Sequence, residues 1–264
     1  MEANRNGFKA KFSPLFLTVS GAVFIISMLL GLSLGSVPIP LKDLAKALLA
    51  GPATDDGETG HIILWTLRFP RVLMAFIEGA SLGVAGAAMQ GLFRNPMADP
   101  YVLGVSSGAP LGAVLGIVFG AGRVLGLWSL PVLAFFGAFA STGVVYLLST
   151  KNGRTDTWTL LLSGIAVSSL VSSLIAFLMV FFRQRVEEIV FWTMGGLSRS
   201  SWKAVGSALP YAAIGMGVLW AQSKALNAFS FGEEAAFHMG VSVEKVKRRI
   251  LWASSLTTAS CVAF

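Results

Sequence analysis

Long apolar runs separated by short polar punctuation dominate the chain: Pro14 to Gly35, Val72 to Leu92, Tyr101 to Gly122, Val124 to Leu148, Trp158 to Phe182 and Ala204 to Gln222. A hydrocarbon core about 30 Å thick takes about 20 helical residues to cross. Each run therefore predicts a membrane crossing, and a seventh starts at Ile250 and is expected to be cut short by the end of the chain. The period-two alternation of a lipid-facing barrel strand is not what these runs show. The predicted fold is all-α, a polytopic transmembrane helical bundle of about six complete crossings forming one domain over residues 1–264.

Composition agrees. Hydrophobic residues make up 55% of the 264 positions, charged ones 12%, and the mean hydropathy is +0.73. Soluble domains carry about 25% charge, so a water-soluble globule is excluded. The net charge of +7 does not imply nucleic acid: the basic residues flank apolar spans, where anionic lipid head groups are their neighbours. Cys261 is the single cysteine, which excludes an intrachain disulfide framework and a multi-cysteine metal site. Neither a metal nor a cofactor is expected.

Lys and Arg set the orientation. With the amino terminus inside, eleven fall in inner segments and nine in outer ones. The flank with Arg5, Lys9 and Lys11 and the cluster Lys245, Lys247, Arg248, Arg249 favour that choice. Segment 1–13 is then cytoplasmic, 36–67 with Asp55, Asp56 and Glu58 is extracytoplasmic, and 223–249 is a cytoplasmic loop. The first span shows no small-residue cleavage site and reads as an uncleaved helix.

Helices in lipid gain little from apolar contact, so small residues that admit close backbone approach are expected at their seams. Gly108, Gly112, Gly116 and Gly120 repeat every fourth residue in the third span, and Gly79 and Gly83 do so in the second. Ser168, Ser169, Ser172 and Ser173 in the fifth span suit either interhelical hydrogen bonds or a wet path. Glu78 stands inside the second span, where a carboxylate is costly unless paired, hydrated or protonated.

Three polar segments carry more. Arg68, Phe69, Pro70 and Arg71 open the second span, and the arginines, three apart, share a helix face suited to phosphate head groups or an acidic partner. Gln90 through Pro100 contains two prolines that break the chain before the glycine-striped helix. Gly232 through Gly240 has glycine at both ends and acids in its first turn, which predicts a helix of about two turns, too short to cross and shaped for a groove on another protein. The chain holds no Walker loop of the Gly-Lys-Ser/Thr kind, so energy from ATP has to arrive through a contact.

These segments resemble a known family. Leu67, Arg68, Phe69, Pro70, Arg71, then Gly79, Ala80, Ser81, Leu82, then Gln90, Gly91, Leu92, Phe93, Arg94, Asn95, Pro96, Met97, Ala98, Asp99, Pro100, Gly104, Ser106 and Gly108 closely resemble the signature of permeases that import iron-siderophores, haem and cobalamin. Phe191, Trp192, Met194, Gly195, Gly196 and Leu197 are similar to that family's short outer segment. Glu234, Ala235, Ala236 and Gly240 resemble the Glu-Ala-Ala, three residues, Gly pattern of importer permeases.

The resemblance implies a type II ABC importer permease of about ten crossings, homodimeric, in a bacterial or archaeal plasma membrane. Its implied partners are two copies of an ATPase subunit and an extracytoplasmic substrate-binding protein. It implies that Gly232, Glu233, Glu234, Ala235, Ala236 and Gly240 couple to the ATPase and that Arg68 and Arg71 dock the binding protein. It also implies a gate at Thr157 and Trp158. Glu78 occupies a position that is apolar in the family. Iron chelates are the favoured cargo, with haem and cobalamin as alternatives. Two rivals stand further off: an ion-coupled secondary transporter using Glu78, and an intramembrane hydrolase at Ser106 or Ser163. The hydrolase lacks a base, since His61 and His238 fall in loops on opposite sides.

Overall fold

The computed structural model describes residues 13–52, 59–121 and 128–264, without the side chain of Val102. Arg5, Lys9, Lys11, Asp55, Asp56 and Glu58 lie outside the described residues. The chain forms two compact units, one up to Val72 and one from Leu73 to Phe264.

In the first unit, α1 (Pro14–Ser33) carries the first expected span and starts on a proline, whose missing N–H is no loss in a first turn. The segment expected as a single outer stretch contains two more helices, α2 (Leu41–Ala50) and α3 (Thr59–Ile63). Leu32, Ile39, Leu44 and Leu64 are buried together, and Trp65 stacks on Phe69 at 4.8 Å while its indole N–H donates to the Ala47 carbonyl.

The second crossing begins earlier than its apolar run. Helical structure starts at Thr59, widens to a π turn over Leu64–Arg68, and continues as α4 (Phe69–Phe93). Pro70 therefore lies inside a helical run, where its ring would crowd the carbonyl four residues back; the widened turn just before it makes room.

The second unit contains α5 (Val105–Val118), α6 (Ser129–Ser149), a two-strand hairpin of β1 (Thr150–Lys151) and β2 (Arg154–Thr155), and α7 (Thr157–Phe181). It continues with α8 (Val186–Met194), α9 (Trp202–Ala221), α10 (Ser223–Phe229), α11 (Glu233–His238) and α12 (Val243–Ala263). Among the described residues, five helical stretches are long and apolar enough to cross a membrane: α1, the run Thr59–Phe93, α6, α7 and α9. The third expected span is shorter than its apolar run, because Pro100–Leu103 forms a separate 3-10 turn and α5 proper holds 14 residues, roughly 21 Å of helix.

The glycine stripe divides. Gly108 and Gly112 meet Gly137 and Leu133 of α6 backbone to backbone, and Gly116 faces the Leu130 and Leu133 side chains. Gly120 ends the stripe in a left-handed conformation, and among the described residues Gly120, Gly79 and Gly83 have nothing within contact distance. Identical four-residue spacing thus marks a seam in α5 and an open face in α4.

The largest departure is α12. Expected as a seventh crossing starting at Ile250, the helix begins a full two turns earlier and holds more buried residues than any other described helix. Ser254, Ser255, Thr257, Thr258 and Ser260 are all sealed from solvent. Thr257 donates back to the Ala253 carbonyl at 2.7 Å, Ser260 to Thr257 at 2.7 Å, and Ser255 pairs with Thr142 of α6 at 2.8 Å. Hydroxyls satisfied by their own helix can sit at the centre of a bundle where larger polar groups cannot.

Candidate functional site

Two irregular segments at the same end of the second unit are built by side chains that hold backbone. In the corner between α4 and α5, the Asn95 carboxamide oxygen accepts from the Met97 N–H at 2.9 Å and the Asp99 carboxylate from the Tyr101 N–H at 2.8 Å. Gln90 donates to the Pro96 carbonyl at 3.1 Å. These turns supply acceptors and donors where Pro96 and Pro100 deny the chain a helix. Gly104, at φ 79°, opens α5, a left-handed position that a side chain would strain. Ser106 is half-buried; its neighbour Ser107 makes the contacts, donating to the Gly104 carbonyl at 3.0 Å and to the Ser168 hydroxyl at 3.3 Å. Of the serine group in α7, Ser168 alone bonds another helix, while Ser169, Ser172 and Ser173 are exposed.

The second segment is the loop helix. Gly232, at φ 111°, turns the chain into α11, and Gly240 at φ 85° turns it out again. Ala236 is fully buried against the bundle, whereas Glu234, Phe237, His238 and Met239 are exposed. Phe237 is 65% and Met239 55% exposed, joined by Phe231 at 77% on the approach to the helix. Such a cluster of large apolar groups on a polar loop is the usual mark of a contact surface.

The corner and the loop helix meet. Arg94, in a left-handed conformation at φ 49°, places its guanidinium beside Gly232. On its other flank α11 is tied to the start of α7: Glu233 accepts from the Thr157 hydroxyl at 2.7 Å and from the Lys247 ammonium at 2.7 Å. Lys247 also donates to the Thr155 carbonyl at 2.7 Å, and Glu244 accepts from the Thr155 N–H at 2.9 Å. The sequence treats Lys245 to Arg249 as one basic collar. In the structure Lys245, Arg248 and Arg249 face out and Lys247 is 3% exposed.

Asp156 caps α7, its carboxylate accepting from the Thr159 N–H and hydroxyl, each at 2.7 Å. Those bonds hold its carboxyl below the ordinary carboxylate range. A depressed acid stabilises the fold above its ordinary range and loses that contribution as pH falls through the depressed value. Asp156→Ala is expected to cost about 1 kcal/mol of local stability, read as faster amide exchange at Thr157 to Leu160. In the unaltered chain the same protection, corrected for intrinsic exchange, falls only on acidification below about pH 4. Protection that is indifferent to acid would refute the cap.

The FecCD transport family matches residues 23–264, nearly the whole chain. The chain belongs to that family. It is similar to the cobalamin import system permease protein BtuC of Halobacterium salinarum, 39% identical over 255 residues that cover 97% of this chain and 68% of that one. It is 36% identical to the hemin transport system permease protein HmuU of Yersinia pestis, over 91% of this chain and 72% of that one. Among solved structures it resembles a metal-chelate type ABC transporter in an inward-facing conformation, with a TM-score of 0.81 and 26% identity over 95% of this chain and 76% of that one.

In this FecCD permease the remaining expected sites separate. Arg68 is buried, and its guanidinium donates to the carbonyls of Leu32 and Ser33, each at 2.8 Å, and to that of Val37. It holds the carboxyl end of α1 and is not available as a docking group, whereas Arg71 is exposed. Thr157 and Trp158 lie in the first turn of α7, Thr157 bonded to Glu233 and Trp158 76% exposed. Glu78 is half-buried in α4, its backbone carbonyl 4.0 Å from the Cys261 sulfur. The hairpin, α8, α10 and the Lys247 bonds were not expected. The Asn152-Gly153 pair between two β-branched threonines was the one local signal for the hairpin.

Proposed function

We propose that this chain is the membrane-spanning subunit of an ATP-driven importer of iron(III)-siderophore or a related iron chelate. Hydrolysis takes place on separate ATPase subunits, which grip α11 from the cytoplasm. The observation that carries the reading is the two-sidedness of α11: Ala236 is sealed against the bundle while Phe231, Phe237 and Met239 are presented outward. The relatives named for cobalamin and hemin import support a large chelate as cargo and leave those two as alternatives.

In this reading the amino terminus is cytoplasmic, a second copy of the permease completes the pathway, and an extracytoplasmic binding protein delivers cargo near Arg71. Closure of the ATPase pair displaces α11 as a rigid body, and the bundle alternates between outward-open and inward-open arrangements, with the first turn of α7 at Thr157 and Trp158 as its inner gate.

Replacing Phe237 with Asp puts a charge in the centre of the proposed contact and leaves Ala236 undisturbed. ATPase subunits should then bind about 10- to 100-fold more weakly in co-purification, and uptake into proteoliposomes should fall with them. Undiminished ATPase binding by this variant would overturn the assignment of α11.

A further inference from the structure

The bonds around Lys247 serve no purpose that a coupling helix by itself requires. A helix that only received an ATPase would need its outer face, and Glu233 would be better left in water. Instead, Glu233 is turned inward and bridges two groups, the Thr157 hydroxyl through one carboxylate oxygen and the Lys247 ammonium through the other. Lys247 in turn reaches past it to the Thr155 carbonyl, and Glu244, one turn earlier on α12, takes the N–H of that same residue. Thr155 is thereby held at both of its backbone polar groups by side chains of α12.

Burial sharpens the point. The Lys247 side chain is 4% exposed and that of Glu233 39%. Desolvating an ammonium is costly, so a lysine in this position persists only where fixed partners replace its water. Its nearest basic neighbours on the collar, all exposed, could supply positive charge to the membrane surface without it.

We propose that Lys247 and Glu233 form a latch that makes α11, the β1–β2 hairpin and the first turn of α7 move as one piece. Displacement of α11 is thereby delivered directly to Thr157 and Trp158. Lys247 is a positioning residue: it touches neither cargo nor nucleotide, and acts by fixing Glu233 to the residues that begin α7. This inference rests on the function proposed above and adds to it the route by which motion reaches the gate.

The test uses the full permease co-expressed with its ATPase subunits, with Cys261→Ser and Trp158→Cys introduced so that a maleimide reports on the gate. In this reporter, labelling of position 158 should differ about tenfold between the nucleotide-free and ATP-vanadate states. Lys247→Met is the informative variant, because the carboxylate it leaves behind still reaches water. It should retain the ATPase subunits and their hydrolysis, while the tenfold difference in labelling shrinks to about one. Lys247→Arg should restore the difference, which a merely structural role would not produce.

Thr157→Val cuts the α7 end of the latch while keeping the ion pair, and decides the matter if Lys247→Met does not assemble. It should diminish the labelling difference in the same direction. A full nucleotide-dependent difference in both variants, or in Thr157→Val alone when the other fails to fold, overturns the latch. Failure of the unaltered permease to bind any ATPase overturns the proposed function instead, and is seen before any latch variant is made.

Discussion

Gly112→Leu is expected to prevent α5 and α6 from closing on each other. A Cβ at Gly112 would overlap the Leu133 carbonyl oxygen and approach the Ala134 Cα within 3.2 Å. No rotamer change relieves a clash with backbone, so the helices themselves would have to part. Overpacking a well-filled interior costs about 1–3 kcal/mol, and an obstacle made of backbone belongs at or above the top of that range. Gly137 reports the same seam from the other side, since a Cβ there would overlap the Gly108 carbonyl and touch the Gly112 Cα at 3.0 Å. The loss should appear as a lower thermal midpoint in detergent, or as failure to accumulate in the membrane. Gly79→Leu and Gly83→Leu are the controls: both positions face open space in α4, and leucine is the better helix former. If all three substitutions cost the same, the α5–α6 seam is not where the bundle gets its close packing.

That contrast also shows how far a linear pattern reaches. The spans α1, α7 and α9 were legible to within about two residues, and so was the carboxyl end of α6, whose expected start at Val124 lies outside the described residues, because bilayer thickness fixes both length and apolarity. The corner was legible because Pro96 and Pro100 forbid helix whatever surrounds them. Spacing of small residues specifies only that a close approach is possible, and the partner that makes it real is supplied by tertiary structure. Gly112 has Leu133 opposite it, and Gly79 has nothing.

The centre of the bundle was hidden for a related reason. A hydropathy reading weighs each hydroxyl as a cost, yet Thr257 and Ser260 return theirs to their own helix and Ser255 finds Thr142. So a helix that carries five sealed serines and threonines occupies the interior, while α7, with Leu162, Ile165, Leu170 and Phe177 all at least 60% exposed, presents an apolar face outward. At the candidate site the loop helix itself was legible from its two glycines and its acids. Its attachment was not, because Lys247 looks like any other member of a basic run until the helix phase turns it inward towards Glu233 and Thr155.

Arg68→Ala is expected to unfasten the end of α1 and the turn that follows it. The last carbonyls of a helix have no partner within it, and here two of them, Leu32 and Ser33, take theirs from one guanidinium, which also serves Val37 beyond the helix. A cation at this end also complements the helix dipole. Ser33 and Ile39 close the turn with two further bonds, at 2.8 and 3.0 Å, that depend on the turn keeping its shape. Removing the arginine takes a donor from three carbonyls at once, of which, among the described residues, only that of Ser33 keeps another, the Ile39 N–H, and a cost of about 3 kcal/mol follows even if water recovers part of it. Lysine at this position keeps the charge but lacks the planar fork needed to reach three carbonyls, so Arg68→Lys should recover only part of the loss. Amide exchange across residues 34–40 is the measurement: it should quicken strongly in Arg68→Ala, while exposed Arg71→Ala leaves it unchanged. The two arginines would then be separated by role, Arg68 holding this turn and exposed Arg71 not needed for it. Unchanged exchange in Arg68→Ala would return both to the surface role that their three-residue spacing first suggested.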